Sequence, residues 1–241
     1  MRATLFDFNG VLVDDEPVHL EAFRDVVRPL GITITDAAYL ERYFGFDDVG
    51  AFRAILADHG RPCSDAEVRA LVLAKKPRYM ERIATALRIF PGAAELVRRR
   101  AALGTVAIVS GALEDEIRFC LEKMNVAACV SFIVPAERCV ACKPDPEGYL
   151  LAIEQLSREG GSRSALRAVV IEDSIAGIVA AKAAGLRCVA VAHSYSPREL
   201  AAAGADAVVA DLATLTDDVL DAAADAAADA AADDEGESPR P

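Results

Sequence analysis

The chain has 241 residues, 53% of them hydrophobic, and a formal net charge of −12. Nine acids and one arginine between Asp217 and Pro241 account for eight of the twelve excess negative charges, so the rest of the chain is only mildly acidic. This balance argues against a protein that binds nucleic acid through a basic surface. No apolar stretch is long enough to cross a membrane, which argues against a membrane partner.

The N-terminus has no charged segment followed by a long apolar stretch, so the sequence predicts a cytoplasmic protein with its six cysteines as reduced thiols. Cys139-Val140-Ala141-Cys142 has the spacing of some metal and redox motifs. A second Cys or His pair with ligand spacing does not accompany it, so packing or loop thiols are predicted there.

Apolar, β-rich runs recur along the chain and are separated by segments with helical spacing. The runs are Ala3–Phe8, Thr105–Ser110, Phe132–Val134, Ala168–Ile171, Cys188–Ala192 and Ala207–Val209. This alternation is typical of the α/β class, with a doubly wound, Rossmann-like parallel sheet and crossover helices. We assign residues 1–14 and 88–216 to this core domain, and a chain of this length can also hold a smaller second domain.

The segment between Asp14 and Leu87 has no strand-like run of comparable quality. Four stretches have helical patterns instead: Pro17–Val27, Thr35–Phe44, Val49–His59 and Ser64–Ala86. The last begins with Ser64-Asp65-Ala66-Glu67, which fits a capping box. The sequence therefore predicts an all-helical domain at residues 15–87, inserted just after the first strand of the core.

The C-terminal residues 217–241 are rich in Ala and Asp, with an aspartate at every fourth position from Asp221 to Asp233. A period of four drifts around a helix of 3.6 residues per turn, so it builds no stable buried stripe. Like charges four residues apart also repel each other. We predict a frayed helix or a disordered acidic tail with no role in chemistry.

Four short polar segments carry the chemistry. Asp7 and Asn9 follow the first strand, Ser110-Gly111-Ala112 follows the second, Lys143-Pro144-Asp145-Pro146 opens a helix, and Glu172-Asp173 follows a later strand. Parallel strands place their carboxyl ends along one edge of the sheet. The nucleophilic, hydroxyl, amine and carboxylate groups are therefore expected to collect at that edge.

In this order, from Thr4 to Gly185, the four segments resemble the motifs of the haloacid dehalogenase-like hydrolases. The resemblance implies a Mg²⁺-dependent phosphatase that acts on a small phosphorylated metabolite, such as a sugar phosphate. It also implies that Asp7 attacks phosphorus and becomes an aspartyl phosphate, and that the helical insert is a mobile cap over the active site. We expect a monomer or a weak homodimer.

The metal ligands implied by this resemblance all offer oxygen, which Mg²⁺ prefers. They are the carboxylates of Asp7 and Asp173 and the backbone carbonyl of Asn9, with Glu172 bound directly or through water. A backbone ligand does not depend on the side chain at position 9, so an asparagine there leaves it in place.

Phosphate binding is assigned to two further segments by the same resemblance. Ser110 and the neighbouring amides of Gly111 and Ala112 are expected to hold phosphate oxygens, with Gly111 allowing close backbone approach. Lys143 is expected to neutralise phosphate charge and to restrain Asp7.

Asn9 departs from the Asp-x-Asp-Gly pattern of the phosphatases in this superfamily, because it stands where their general acid/base aspartate is found. Asparagine cannot exchange a proton at neutral pH, and general acid/base catalysis is worth about 10²–10⁴-fold. Three interpretations stay open. Substrates with good leaving groups, such as acyl phosphates, still turn over; another group, for example Asp14, Asp15, Glu16 or His19, compensates; or the protein mainly binds a phosphometabolite and is a slow or vestigial catalyst.

The segment from Asp14 to His19 resembles the cap entry of sugar-phosphate phosphatases and of β-phosphoglucomutase, where a matching histidine assists proton control. His19 is therefore a candidate substrate-binding residue, and the alternative is a partly exposed helix residue. A phosphosugar mutase is a further alternative, which Asn9 disfavours.

Two other chemistries of the superfamily fit less well. The acidic pair Glu172-Asp173 disfavours a dehalogenase. A phosphonate hydrolase uses a cap lysine, but Asp48 stands where that lysine is sought. Lys75 and Lys76 lie in a predicted helix and are expected to be solvated.

Overall fold

The computed structural model describes residues 2–160 and 167–225, with the side chains of residues 159 and 160 left aside. Two compact units are present: one consists of the chain up to Val13 and from Ile89 onward, and the other of Asp14–Arg88. In chain order the elements are β1 (Arg2–Phe6), α1 (Glu16–Val27), α2 (Asp36–Arg42), α3 (Asp48–Asp58), α4 (Asp65–Ala86), α5 (Ala93–Leu103), β2 (Thr105–Val109), α6 (Glu114–Lys123), β3 (Phe132–Val134), α7 (Glu147–Gly160), β4 (Arg167–Glu172), α8 (Ile175–Ala183), β5 (Arg187–Val191), α9 (Pro197–Ala202) and β6 (Ala207–Val209).

The first unit is built on a parallel sheet with the strand order β3-β2-β1-β4-β5-β6. Strands β2 and β3 lie on one side of β1 and strands β4 to β6 on the other, so the direction in which the chain adds strands reverses at β1. Phe6, at the end of β1, is in register with Ile108 of β2 and Ile171 of β4. The residues that follow these strand ends therefore lie side by side, and the predicted α/β class is confirmed.

The two faces of β1 show why helices cover both sides of the sheet. Successive strand residues point to opposite faces. Ala3 and Leu5 belong to a buried apolar cluster that includes Tyr149 of α7 and Ile178 of α8. Thr4 points the other way, and its hydroxyl accepts a hydrogen bond from Arg100 of α5. Burial on both faces explains the nearly continuous apolar character of the strands.

Arg100 explains why the beginning of the acidic C-terminal segment, predicted to be a frayed helix or a disordered tail without a buried stripe, forms a packed helix. Residues 217–225 are helical, and Leu220 and Ala224 within them are buried. The guanidinium of Arg100, which is 1% exposed, donates to Asp217 at 3.1 Å and to Asp221 at 3.0 Å. A buried guanidinium needs such acceptors, so the first acids of the repeat have a structural partner. Residues 226–241 lie outside the described part of the chain.

The second unit consists of α1 to α4, packed around a core of its own that includes Phe23, Tyr39, Phe52 and Val68. At the start of α4 the Ser64 hydroxyl accepts from the Glu67 amide, and the Glu67 carboxylate accepts from the Ser64 amide. The predicted capping box is thus present. Over the described residues of both units, no helix combines the length and the apolar character needed to cross a bilayer.

Candidate active site

The segment after β1 forms a tight loop at the carboxyl edge of the sheet. The Asp7 amide donates to the Ile171 carbonyl at 2.9 Å, so Asp7 lies beside the end of β4, where Glu172 and Asp173 follow. Gly10 has a φ of +77°, and a Cβ at this position would lie 2.1 Å from Asp173 Oδ2. Glycine is therefore required both by the backbone conformation and by the close approach of Asp173.

Lys143 is the cation of this site. Its Nζ donates to Asp7 Oδ1 and Glu172 Oε1, each at 2.6 Å, and to the Val109 carbonyl at 3.0 Å. Burial alone would lower the pKa of Lys143, but the carboxylates of Asp7 and Glu172 outweigh burial and raise it. The ammonium therefore stays protonated and holds the Asp7 carboxylate by a hydrogen bond.

Three buried acids, Asp7, Glu172 and Asp173, place one oxygen each within 4.8 Å of one another. Burial raises the pKa of Asp7 to about 7, against the lowering effect of Lys143 and with a further rise from Glu172. Burial, and then the charges of Glu172 and Asp7, hold the pKa of Asp173 well above its usual range. If all three acids were ionised, they would carry more negative charge than one lysine neutralises. A hard cation with oxygen ligands is the group that such a donor set suits best.

Glu172 is fully buried, and donors contact both of its carboxylate oxygens. Oε1 accepts from Lys143 and, at 2.8 Å, from the Tyr149 hydroxyl. Oε2 accepts from the Ser174 hydroxyl at 3.0 Å and from the Asp173 and Ser174 amides. Gly177 leaves room for this carboxylate, since a Cβ there would lie 1.9 Å from Glu172 Cδ.

The loop after β2 faces the side chain of Asn9. The Ser110 hydroxyl donates to Asn9 Oδ1 at 3.4 Å and accepts from the Ala112 amide at 3.1 Å. Ser110 and Ala112 are buried, and Gly111 between them is exposed. The structure therefore places these site residues after the ends of neighbouring strands. Lys143 contacts Asp7 and Glu172, the Ser110 hydroxyl contacts Asn9, and an oxygen of Asp173 lies within 4.8 Å of those of Asp7 and Glu172.

Three contact residues were not among the predicted site residues. The Ser194 hydroxyl contacts Asp173 Oδ2, and His193 Nδ1 lies 2.8 Å from the Gly10 carbonyl oxygen. The His193 ring also stacks on Phe90 with 3.8 Å between the ring centroids. Both residues follow β5, so the argument from strand ends could have found them. Tyr149 gave no such signal, because an aromatic residue at helical spacing indicates a core position.

His19 lies in the second unit, within a buried polar cluster on α1, α3 and α4. Its Nδ1 is 2.6 Å from Lys75 Nζ, and its Nε2 is 3.3 Å from Asp15 Oδ2. Burial and Lys75 lower the pKa of His19, but Asp15 outweighs them and the pKa is raised. The expectation that Lys75 is solvated is wrong: it is fully buried and also contacts Asp48, which supplies the counter-charge.

Comparisons with known proteins identify the family of this chain. A family model for haloacid dehalogenase-like hydrolases matches residues 1–185. A phosphorylated carbohydrates phosphatase from Thermotoga maritima is 32% identical over 217 residues, which cover 87% of this chain and 94% of the relative. Protein CbbY from Rhodobacter capsulatus is 30% identical over 222 residues, which cover 81% and 87%. A crystal structure of a CbbY variant from Rhodobacter sphaeroides, in complex with xylulose-1,5-bisphosphate, superposes with a TM-score of 0.75 at 26% identity, covering 88% of this chain and 95% of that one.

Proposed function

Since the chain belongs to the haloacid dehalogenase-like hydrolases, as its four motifs predicted, we propose that it is a Mg²⁺-dependent phosphatase acting through Asp7. The observation that carries this proposal is the Asp7 carboxylate itself. It is buried, held 2.6 Å from Lys143, and placed beside Glu172 and Asp173. This set contains the nucleophile, a cation for phosphate and the acids for a metal ion.

Asp7, Asp173 and the backbone carbonyl of Asn9 are the proposed Mg²⁺ ligands. Glu172 keeps both of its oxygens on Lys143, Tyr149 and Ser174, so we assign it to charge balance around the metal and to holding the lysine. When bound, the ion supplies positive charge that offsets the repulsion between the phosphate dianion and the attacking carboxylate.

In the first step, the Asp7 carboxylate attacks phosphorus, an Asp7 oxygen–phosphorus bond forms, and the ester oxygen leaves with the electrons of its bond. Lys143 neutralises charge on the transferring phosphoryl group, and Ser110 with the amide of Gly111 binds its oxygens. The Ala112 amide, also expected to bind phosphate, donates instead to the Ser110 hydroxyl. In the second step, water attacks the aspartyl phosphate, which releases inorganic phosphate and restores the carboxylate. Asn9 contributes hydrogen bonding but no proton to either step.

For the substrate, we propose a small phosphorylated carbohydrate or a similar metabolite, in line with the names of the relatives that the chain resembles. The helical unit, Asp14–Arg88, is proposed to act as the mobile cap. His19 was a candidate substrate-binding residue, but both of its ring nitrogens contact other side chains, Nδ1 that of Lys75 and Nε2 that of Asp15. We therefore propose that it orders these two residues within the helical unit and does not bind the substrate itself.

The second candidate function is a phosphometabolite-binding or regulatory protein with vestigial catalysis. The observation that favours it is Asn9, which lies beside Ser110 and cannot protonate a departing alkoxide. Bound phosphate or beryllofluoride at Asp7 fits both functions. The steady-state rate of phosphate release distinguishes the phosphatase from the binding protein.

We expect purified protein to release phosphate from acetyl phosphate in the steady state with Mg²⁺ present, because this leaving group needs no proton. Chelation with EDTA is expected to remove at least about 90% of the rate, and added Mg²⁺ to restore it. Binding of phosphate without any turnover of acetyl phosphate would support the binding protein instead.

Gly10→Ala is expected to weaken the apparent affinity for Mg²⁺ by about ten- to a hundredfold, because the new methyl group displaces Asp173. The matched control is Gly31→Ala, where φ is also +77° but no atom lies within 4 Å of the added Cβ. Both variants carry the same backbone strain, of about 1–2 kcal/mol, and only Gly10→Ala affects the site. Equal Mg²⁺ activation curves for the two variants would show that Asp173 does not hold the metal.

A further inference from the structure

All three N–H donors of the Lys143 ammonium are already used, so none is left for a phosphate. An ammonium group carries three donors, and the three acceptors around Nζ are Asp7 Oδ1, Glu172 Oε1 and the Val109 carbonyl. To neutralise an incoming phosphate, the lysine must release one of these acceptors. The identity of that acceptor determines how much free energy is lost from the site when phosphate binds.

Of the two carboxylates, Glu172 is better able than Asp7 to lose the lysine. Leaving a buried carboxylate without donors is strongly destabilising, but Glu172 keeps other donors after Lys143 turns away. The Tyr149 hydroxyl remains on the same oxygen, Oε1, at 2.8 Å, and Ser174 remains on Oε2 at 3.0 Å. Asp7 has no comparable second side-chain donor among its described contacts.

We propose that Tyr149 is a positioning residue for phosphate binding. Its hydroxyl keeps a hydrogen bond to Glu172 Oε1 while one N–H group of Lys143 turns from Glu172 to the phosphate. This inference rests on the proposed function of Lys143. Tyr149 does not touch the phosphate in this scheme and acts through Glu172 and Lys143.

The position of Tyr149 suits this role. The residue is fully buried in α7, and Lys143 Nζ lies 5.1 Å from the centre of its ring. Burial, and then the charge of Glu172, raise the pKa of the phenol well above its usual range, so the hydroxyl stays protonated and donates. Phenylalanine at this position keeps the ring against the lysine and removes only the hydroxyl donor.

The test is the affinity for inorganic phosphate in the presence of Mg²⁺, measured by titration calorimetry and by competitive inhibition of acetyl phosphate hydrolysis. Tyr149→Phe is expected to bind phosphate roughly tenfold more weakly, since a hydrogen bond to a charged group is lost when Lys143 leaves. The control is Tyr43→Phe, which removes a hydroxyl that donates to Asp58 at 2.7 Å from a buried ring in the helical unit. This control is expected to keep the wild-type affinity.

Wild-type affinity in Tyr149→Phe would overturn the inference and leave the phosphatase proposal intact. A wild-type protein that neither binds phosphate nor turns over acetyl phosphate would overturn both.

Discussion

Asn9→Asp is expected to raise the rate of hydrolysis of alkyl phosphate esters by about 10²–10⁴-fold, the usual contribution of general acid/base catalysis. The new carboxyl group would protonate the departing alkoxide and then remove a proton from the attacking water. The position is suitable, because the Asn9 side chain already reaches Ser110 at the carboxyl edge of the sheet. The measurement is kcat/KM for a panel of sugar phosphates, on the wild type and the variant.

Acetyl phosphate provides the internal control for this prediction, because its leaving group needs no proton and its rate should change little. Asn125→Asp makes the same chemical change in a residue with a φ of 55°, a conformation that aspartate also tolerates. It is expected to leave all rates unchanged. An alkyl phosphate rate that stays constant or falls in Asn9→Asp would mean that position 9 does not serve in proton transfer.

Asp7→Asn is expected to abolish turnover, with a loss of at least about 10⁴-fold on acetyl phosphate, because an amide cannot form the aspartyl phosphate. Phosphate binding should survive or tighten, since one of the three neighbouring negative charges is removed. Acid quenching during turnover, followed by mass spectrometry, should find a phosphorylated protein for the wild type and none for the variant.

Asp218→Asn is the control for this substitution, since Asp218 is exposed and lies outside the site. It should keep both the rate and the trapped phosphoprotein. Residual turnover above a hundredth of the wild-type rate in Asp7→Asn would point to direct attack of water on phosphorus and contradict the covalent intermediate.

The fold and the centre of the site were predictable because they depend on local patterns. Apolar runs and helical spacing define the strands and helices, and the rule that parallel strands end on one edge brings Asp7, Ser110 and Glu172 together. The same rule covers Ser194, which follows β5. The resemblance added what spacing does not contain, namely the roles of these residues.

The errors concern contacts between residues that are far apart in the sequence. Lys75 looked solvated because a charge in a helix usually is, and its burial depends on Asp48 from another helix. Asp217 and Asp221 looked like part of a repulsive repeat, and their partner Arg100 lies more than 100 residues earlier. The spacing of Tyr149 indicates a core residue, and the residue is indeed buried. The pattern does not predict that its hydroxyl donates to Glu172.

The pairing of Arg100 with Asp217 and Asp221 has a practical consequence for anyone who shortens this protein. A version that ends before Asp217 would leave a guanidinium enclosed beneath β1 with Thr4 as its remaining side-chain acceptor. The first two turns of the acidic extension therefore belong to the folded domain, and a boundary drawn by composition alone would cut through it. Trimming that keeps residue 225 retains the Arg167–Asp225 ion pair as well.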